Sequence, residues 1–72
     1  MNAAQCRMAR AALRLSVRDL AKLAQVATGT ITRLEAGEAL QARTLADIQH
    51  ALEKAGVVFT NGDEPGVRVK KR

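Results

Sequence analysis

Aromatic side chains are nearly absent from this chain of 72 residues, which has one Phe and no Trp or Tyr. RRM-type domains stack bases on several aromatic rings, so this scarcity argues against that mode of nucleic-acid binding. The single cysteine cannot form an internal disulfide, which fits a reducing cytoplasm. No apolar run approaches the roughly 20 residues of a membrane span, and the N-terminus has no signal-peptide pattern. We therefore expect a cytoplasmic protein without a membrane partner.

Recognisable sets of catalytic residues are also missing. The sequence has no Ser/His/Asp set, no carboxylate pair and no glycine-rich phosphate loop, and His50 is the single histidine. Cys6 falls on the inward stripe of the first predicted helix, where a core thiol is a simpler interpretation than a redox sensor. We therefore do not expect an enzyme, and we expect no metal or cofactor.

Basic residues outnumber acidic residues in this chain. Twelve Lys and Arg face seven Asp and Glu, which gives a formal net charge of +5. This excess favours a polyanionic partner, although charge alone does not separate DNA, RNA and anionic membranes. Apolar residues make up 47% of the chain, enough for one small packed domain.

Residues 17–36 have the pattern of two short helices joined by a tight turn at residues 25–27. In the first helix, four apolar residues fall at i, i+3, i+4 and i+7 and form one face. In the second, Ile31 and Leu34 lie three residues apart, while Arg33 and several threonines occupy the other sides. This length and spacing predict a helix-turn-helix, whose second helix lies in the major groove of DNA.

A helix from Asn2 to about Leu13 is predicted from an apolar stripe that also contains Arg10. A buried guanidinium needs an anionic partner, because leaving it unpaired costs about 3–5 kcal/mol. Glu35 is the natural candidate, because it lies next to Leu34 on the packed side of the second motif helix. We predict an Arg10–Glu35 ion pair between the two helices. The alternative is that both are solvated surface charges.

Capping patterns predict where two further helices begin. Ser16 and Asp19 match a capping box at the edge of an apolar period, and they predict that the second helix begins at Val17. Thr44 and Asp47 form a second possible capping box ahead of the fourth helix.

After residue 56 the pattern changes from helical to extended. Residues 57–60 are β-branched or aromatic and residues 67–70 alternate apolar and basic, which predicts two short strands around a six-residue turn. A lone hairpin is marginal in water, so it must pack on the helices or pair with a second chain. Pairing across a two-fold axis in a dimer is favoured over an internal hairpin. The predicted dimer interface contains Val57, Val58 and Phe59, and the solvated basic tail contains Lys70, Lys71 and Arg72.

From about Arg10 to Leu52 the chain resembles the Cro/cI (XRE) family of helix-turn-helix proteins, which includes phage repressors and small bacterial regulators. The residues that carry the resemblance are Arg10, Leu13, Leu20-Ala21, the segment ITRLEAG at residues 31–37, and Thr44-Leu45. The resemblance implies a bundle of four or five helices, dimeric binding to a DNA operator and no catalysis. A pair similar to Arg10–Glu35 also occurs in the family.

Two residues near the inter-helix turn depart from the family pattern. Gln25 stands where the family usually has a glycine with positive φ, at a cost on the order of 1 kcal/mol. Ala27 stands where a Ser or Thr usually caps the recognition helix, so Thr28 is expected to take over as N-cap one residue later. The strand-rich end of the chain also departs from the simplest all-helical members.

The exposed N-terminal half of the third helix is expected to contact bases. Arg33 is the strongest candidate, because a guanidinium can bond O6 and N7 of guanine together. The threonines offer hydroxyl and methyl groups, with plain filling of the helix surface as the alternative, and Gly29 would allow the backbone to approach DNA closely. The predicted base-contacting residues are Thr28, Gly29, Thr32 and Arg33.

Phosphate contacts are expected from the start of the second helix and from the loop before the fourth. Helix N-termini present unpaired N–H groups to anions. The resemblance also allows Arg43 to reach the minor groove, with an ordinary surface charge as the alternative. The predicted phosphate-contacting residues are Arg18, Gln41 and Arg43. Contributions to the long-range field alone are expected from Arg7, Arg14 and Lys22.

Together these expectations describe a mainly α, Cro/cI repressor-like bundle of four to five helices over residues 1–56, with the helix-turn-helix at 17–36. A two-strand β extension with the basic tail occupies residues 57–72. The expected function is repression of transcription by a homodimer bound to a palindromic double-stranded DNA operator. We expect a bacterial or phage protein that lies in the cytoplasm and associates with the nucleoid. Two alternatives stay open: the antitoxin of a toxin–antitoxin pair, whose strands bind a protein partner, and an interaction module of this fold without DNA binding.

Overall fold

The computed structural model describes residues 1–70, and Lys71 and Arg72 of the predicted basic tail lie outside the described residues. Within residues 1–70, four helices are followed by two antiparallel strands, which confirms the predicted fold class. The elements are α1 (Ala3–Leu13), α2 (Val17–Ala24), α3 (Thr28–Glu35), α4 (Ala42–Lys54), β1 (Val57–Thr60) and β2 (Gly66–Val69).

α1 and α2 each begin with a reciprocal capping box. In α1, the Asn2 side chain accepts from the Gln5 backbone N–H at 2.8 Å, and the Gln5 side chain accepts from the Asn2 backbone N–H at 2.9 Å. In α2, Ser16 and Asp19 make the same two bonds at 3.0 Å each, so the predicted start of α2 is confirmed. Each box satisfies two N–H groups at a helix start.

α3 begins without a side-chain cap in the described chain. Its N-cap is Ala27, whose carbonyl accepts from the Thr30 N–H at 3.0 Å. Thr28 is therefore already the first helical residue, and the expectation that it serves as N-cap is wrong. The backbone takes the extended conformation at Ala27 even though the alanine methyl has nothing to donate or accept.

α4 also begins without a side-chain cap among the described residues, and it begins earlier than predicted. Its N-cap is Gln41, because the Leu45 N–H already bonds to the Gln41 carbonyl at 3.0 Å. Thr44 consequently lies within the first turn, so the second predicted capping box is wrong. Partial burial of Leu45 against the core favours this earlier start.

Each of the four helices is followed within two residues by left-handed backbone, α4 by Gly56. Arg14 after α1 and Gln25 after α2 have φ of 57° and 58°, where a residue with a Cβ costs roughly 1–2 kcal/mol. After α3, Gly37 has φ of 90° and, with Glu38, bonds back to carbonyls of α3 in a Schellman motif.

One apolar core joins the helices and the first strand. α2 packs against α3 and α4, and α1 packs against α3 and β2. The buried apolar residues are Cys6, Ala9, Leu20, Ala21, Ala24, Ile31, Leu34, Ile48, Leu52 and Val57. Because α3 contributes its inner side to this core, its outer side is held facing solvent.

β1 and β2 pair with each other within one chain, with Val57 opposite Val69. The hairpin therefore forms within one chain, and the favoured expectation, that strand edges join across a two-fold axis in a dimer, stays a prediction. Val57 is 2% exposed and belongs to the core, so its side chain cannot form the interface predicted for it, while Val58 and Phe59 are partly buried. Gly56, with φ of 108°, lets the chain change direction directly after α4, and β1 then packs against the helices.

Gln5 fastens the hairpin to α1. The side chain is 2% exposed, and its Nε2 donates to the carbonyl oxygens of Thr60 at 2.8 Å and Gly66 at 3.1 Å. These carbonyls belong to opposite strands at the rung before the turn. The hairpin therefore obtains from α1 the support that two strands alone lack in water.

Candidate nucleic-acid interface

α3 turns one polar face toward solvent. Ile31 and Leu34 are 0% and 5% exposed, so this side of the helix belongs to the core. The helix contains a single acid, Glu35, and that side chain bonds to α1 rather than facing solvent with the others. The outer face carries the four predicted base-contacting residues, all of them exposed: Thr28, Gly29, Thr32 and Arg33.

The side chains of Thr32 and Arg33 on this face differ in their hydrogen bonds. The Thr32 hydroxyl donates to the Thr28 carbonyl at 3.2 Å, which leaves its oxygen lone pairs and its methyl group directed outward. The Arg33 guanidinium makes one long bond, from Nη2 to the Thr30 hydroxyl at 3.5 Å. Arg33 therefore retains nearly all of its donors for a ligand.

Gly29 has no structural requirement for its missing side chain. Its backbone is helical, and a Cβ built at this position meets nothing within 4 Å. A glycine inside an exposed helix lowers stability by roughly 0.5–1 kcal/mol relative to alanine. Gly29 thus lowers the stability of the helix, and no packing contact in the domain requires a glycine there.

The predicted phosphate-contacting residues are exposed, and the structure places one of them, Gln41, beside α3. Gln41 and Arg33 line a common groove of about 330 Å³. Arg43 lines a different groove of about 400 Å³ together with Gln25 of the inter-helix turn. Arg18, on α2, lines neither of these grooves, so the three predicted side chains do not share one groove.

The starts of α3 and α4 expose backbone donors beside these side chains. In α4 the first helical bond is donated by Leu45, so the N–H groups of residues 42–44 have no partner within residues 1–70. In α3 the same holds for Thr28 and Gly29, because the first bond is donated by Thr30. Such N–H groups, at the positive end of the helix dipole, attract anions.

Arg10 of α1 and Glu35 of α3 form a bidentate ion pair. Arg10 Nε lies 2.7 Å from Glu35 Oε2, and Arg10 Nη2 lies 2.7 Å from Oε1. Arg10 Nη1 also donates to the Leu15 carbonyl at 3.1 Å. The exposed fractions of the two side chains, 22% and 10%, show that the pair is largely removed from water. It ties the C-terminal end of α3 to α1.

The surroundings of this pair shift the pKa values of three groups. The hydrogen bonds from Arg10 lower the pKa of Glu35, and the same bonds raise the pKa of Arg10. Cys6 is 0% exposed, as expected of a core thiol, and its Sγ lies 3.2 Å from Glu35 Oε2. Burial, followed by the bond to Glu35, raises the pKa of the Cys6 thiol to about 12. The thiol therefore stays protonated and donates to the carboxylate.

Sequence reasoning missed two side chains that support this interface. Arg7, expected only to contribute to the long-range field, donates from Nη1 to the backbone carbonyl of Glu35 at the C-terminal end of α3. A cation there also suits the helix dipole. Arg7 precedes Arg10 by three residues, so their shared helix face was a usable signal. Gln5 was missed because its hairpin partners are distant in sequence.

Two other findings concern ligands and membranes. Among residues 1–70, no group of three or more His, Cys, Asp or Glu side chains is arranged to hold a metal ion. His50 is exposed and lines the same groove as Arg43. In the described part of the chain, every helix is too short or too polar to cross a bilayer.

The comparisons with known proteins agree with this geometry. The family model described as helix-turn-helix matches residues 7–56, a span that runs from α1 to the glycine before β1. The search of curated proteins finds no match.

Proposed function

The chain belongs to the helix-turn-helix family of the Cro/cI (XRE) type and is therefore a DNA-binding regulator; from this premise we propose that it represses transcription as a homodimer on a palindromic operator. The observation that carries the proposal is the outer face of α3, which is exposed, free of acids and fixed from behind by the core and by Arg10–Glu35. The family is a regulatory rather than an enzymatic one.

Base recognition is assigned to the N-terminal part of α3. Arg33 has the free donors for a bidentate contact with guanine, which contributes about 1–3 kcal/mol of discrimination against other bases. Thr28 and Thr32 offer a hydroxyl oxygen and a methyl group that fits a thymine methyl. Gly29 allows the helix backbone to lie close to the DNA, which would explain a glycine that the fold does not need.

Phosphate contacts are assigned to the borders of that helix. Gln41 is the N-cap of α4 and Arg43 lies in its first turn, so each side chain is close to unpaired N–H groups that can bind a phosphate. Arg18 lies in the first turn of α2, where the capping box and the Asp19 carboxylate already occupy part of the helix end. We therefore expect Arg43 to contribute more than Arg18.

The homodimer is assigned to the free outer edge of β2. The Lys70 N–H donates to the Gly56 carbonyl at 2.8 Å, so this pair is hydrogen-bonded and the alternation of an antiparallel ladder follows from it. In that alternation, the backbone groups of Val67 and Val69 point away from β1. None of them has a partner within residues 1–70, and the Val69 side chain is 44% exposed. For two such edges joined antiparallel to serve operator binding, the two α3 helices must lie about one DNA turn, ~10 base pairs, apart.

Selection from a library of genomic fragments, followed by gel shifts, tests the DNA part of the proposal. Arg33→Ala is expected to remove the preference for the selected sequence at one position. Arg43→Ala is expected to weaken binding to all sequences and to reduce the slope of log K against log salt by about 0.9. Lys22→Ala, an exposed residue on α2 with the same charge, is the control and should change the slope and the preference less. Absence of any retarded fragment would refute the proposal and favour an interaction module.

A proline pair tests the dimer part. Val69→Pro removes an N–H that β1 does not use, so the hairpin should persist while the dimer dissociates in analytical ultracentrifugation. Arg68→Pro removes the N–H that bonds to Val58 and should disrupt the hairpin itself, which serves as the comparison. A dimer that survives Val69→Pro would show that another surface joins the chains.

A further inference from the structure

Gln5 occupies a position that joins two parts of the molecule. It is the polar residue buried within the described chain, and the family match begins two residues after it. Its amide nitrogen bonds to carbonyls of both strands, at Thr60 and Gly66. A single side chain therefore fixes the rung of the hairpin nearest to the turn.

The same helix holds the recognition helix through its next turn. Arg7 and Arg10 both bond to Glu35, one to its backbone carbonyl and one to its carboxylate. Cys6 bonds to that carboxylate as well. All of these residues lie within six positions of α1, a rise of about 7.5 Å from Gln5 to Arg10. α1 is thus a short rigid link between the hairpin and the end of α3.

From this link we propose that Gln5 is a positioning residue for operator binding. By fixing the hairpin on α1, it sets the orientation of the β2 edge relative to α3, and so the separation of the two α3 helices in a dimer. The inference rests on the proposed homodimer. It matters because two recognition helices must match half-sites at a fixed spacing, and an error in their separation costs contacts in one half-site.

The two polar atoms of Gln5 have separate roles, which makes the proposal testable. Oε1 accepts from the Asn2 N–H in the capping box, whereas Nε2 donates to the hairpin. Gln5→Glu keeps an oxygen for the cap and replaces the donor by an acceptor that faces two carbonyl oxygens. Gln5→Met removes the amide with little change in shape and introduces no charge.

The experiment compares two DNA probes. One is the duplex that the wild-type chain selects from a random library, and the other is the same duplex with one half-site scrambled. Gln5→Glu and Gln5→Met should each lower affinity for the intact duplex by about tenfold or more, while affinity for the single half-site changes by less than about twofold. Inserting a base pair between the half-sites should penalise the variants less than the wild type. Ile48→Val, a core truncation in α4, controls for a general loss of stability and should leave the ratio of the two affinities unchanged.

Each outcome separates the inference from the function beneath it. If the wild type selects no duplex, or selects one with a single half-site, the proposed operator-binding dimer fails and the inference fails with it. If the wild type selects a two-fold site and both Gln5 variants keep the wild-type ratio, the inference alone is overturned. It is also overturned if affinity for both probes falls equally, because Gln5 would then support only the fold. Should Gln5→Glu not fold by circular dichroism, Gln5→Met alone decides.

Discussion

The first two helices and the next two begin in opposite ways. α1 and α2 close their N-termini with reciprocal side-chain boxes, Asn2 with Gln5 and Ser16 with Asp19. α3 and α4 begin at Ala27 and Gln41, and no side chain of the described residues accepts from the N–H groups of their first turns. The first pair builds the scaffold, whereas the second pair borders the predicted DNA surface. Side chains therefore satisfy the N–H groups at the starts of α1 and α2, whereas the first N–H groups of α3 and α4 stay available to a ligand such as a phosphate.

The largest loss of stability is expected from breaking the ion pair between α1 and α3. Glu35→Lys leaves Arg10 and Arg7 facing a third cation and should lower stability by about 3 kcal/mol, a fall in melting temperature of more than about 10 °C. Glu38→Lys makes the same charge change at an exposed position and should shift stability by less than about 0.5 kcal/mol. Thermal unfolding followed by circular dichroism compares them. Equal effects would mean that net charge, not the ion pair, sets stability.

Low pH should weaken the same ion pair by protonating Glu35. Because the pKa of Glu35 is lowered by Arg10, its contribution is fully present above the unfolded value near 4.3 and is lost as pH falls through the folded value. Urea titrations between neutral pH and pH 2 should therefore show stability decreasing below about pH 4. Glu35→Gln should be less stable at neutral pH and show a flatter acid branch; an unchanged branch would assign acid sensitivity to other carboxylates.

Exchanging the helix starts tests the comparison directly. Ser16→Ala opens α2 and should cost about 1 kcal/mol, while Ala27→Ser closes α3 and should gain about 1 kcal/mol. Denaturant unfolding of the two single variants and the double variant measures both. If Ala27→Ser brought no stability, the start of α3 would already be satisfied in a way that the hydrogen bonds do not display.

Gly29→Ala should sharpen the contrast between stability and binding. Because a Cβ at this position meets open space, the substitution should raise stability by about 0.5–1 kcal/mol. The same methyl group should weaken DNA binding if the backbone lies against the duplex. Ala46→Gly, at an exposed position in α4, should lose a similar amount of stability without affecting binding. A Gly29→Ala variant with unchanged affinity would exclude close backbone approach.

The smallest change in stability is expected at the C-terminal ends of α1 and α2. Gln25→Gly and Arg14→Gly relieve left-handed residues, at φ of 58° and 57°, and each should gain about 0.5 kcal/mol after the added freedom of the unfolded chain is subtracted. Chemical denaturation resolves a change of this size. A loss instead of a gain would show that side-chain contacts at these positions outweigh the backbone cost.

Much of the helical part was predictable because it depends on local periodicity. The stripe that includes Arg10 and the position of Glu35 beside Leu34 were enough to anticipate the ion pair. Ser16 and Asp19 marked the start of α2 for the same reason. In each case the deciding interaction lies within one helix or follows from two amphipathic faces meeting.

Other features were not predicted correctly. Thr28 and Thr44 were expected to cap helices because their side chains suit that role, yet α3 and α4 begin earlier, at Ala27 and Gln41, without a side-chain cap. The contact between the hairpin and α1 was not predicted, because Gln5 and its partners at Thr60 and Gly66 are distant in sequence. Exposure of the predicted DNA-contacting residues agrees with their assignment, but DNA itself must test their roles.

Burial of the Cys6 sulfur determines when this thiol can be chemically modified. With no exposed surface and a pKa near 12, the thiol is inaccessible to oxidants and alkylating reagents as long as the domain is closed. Modification then occurs only during an opening event, and a modified sulfur no longer fits its place beside Glu35. With an irreversible alkylating reagent, the fraction of labelled chains would therefore measure how often the domain opens.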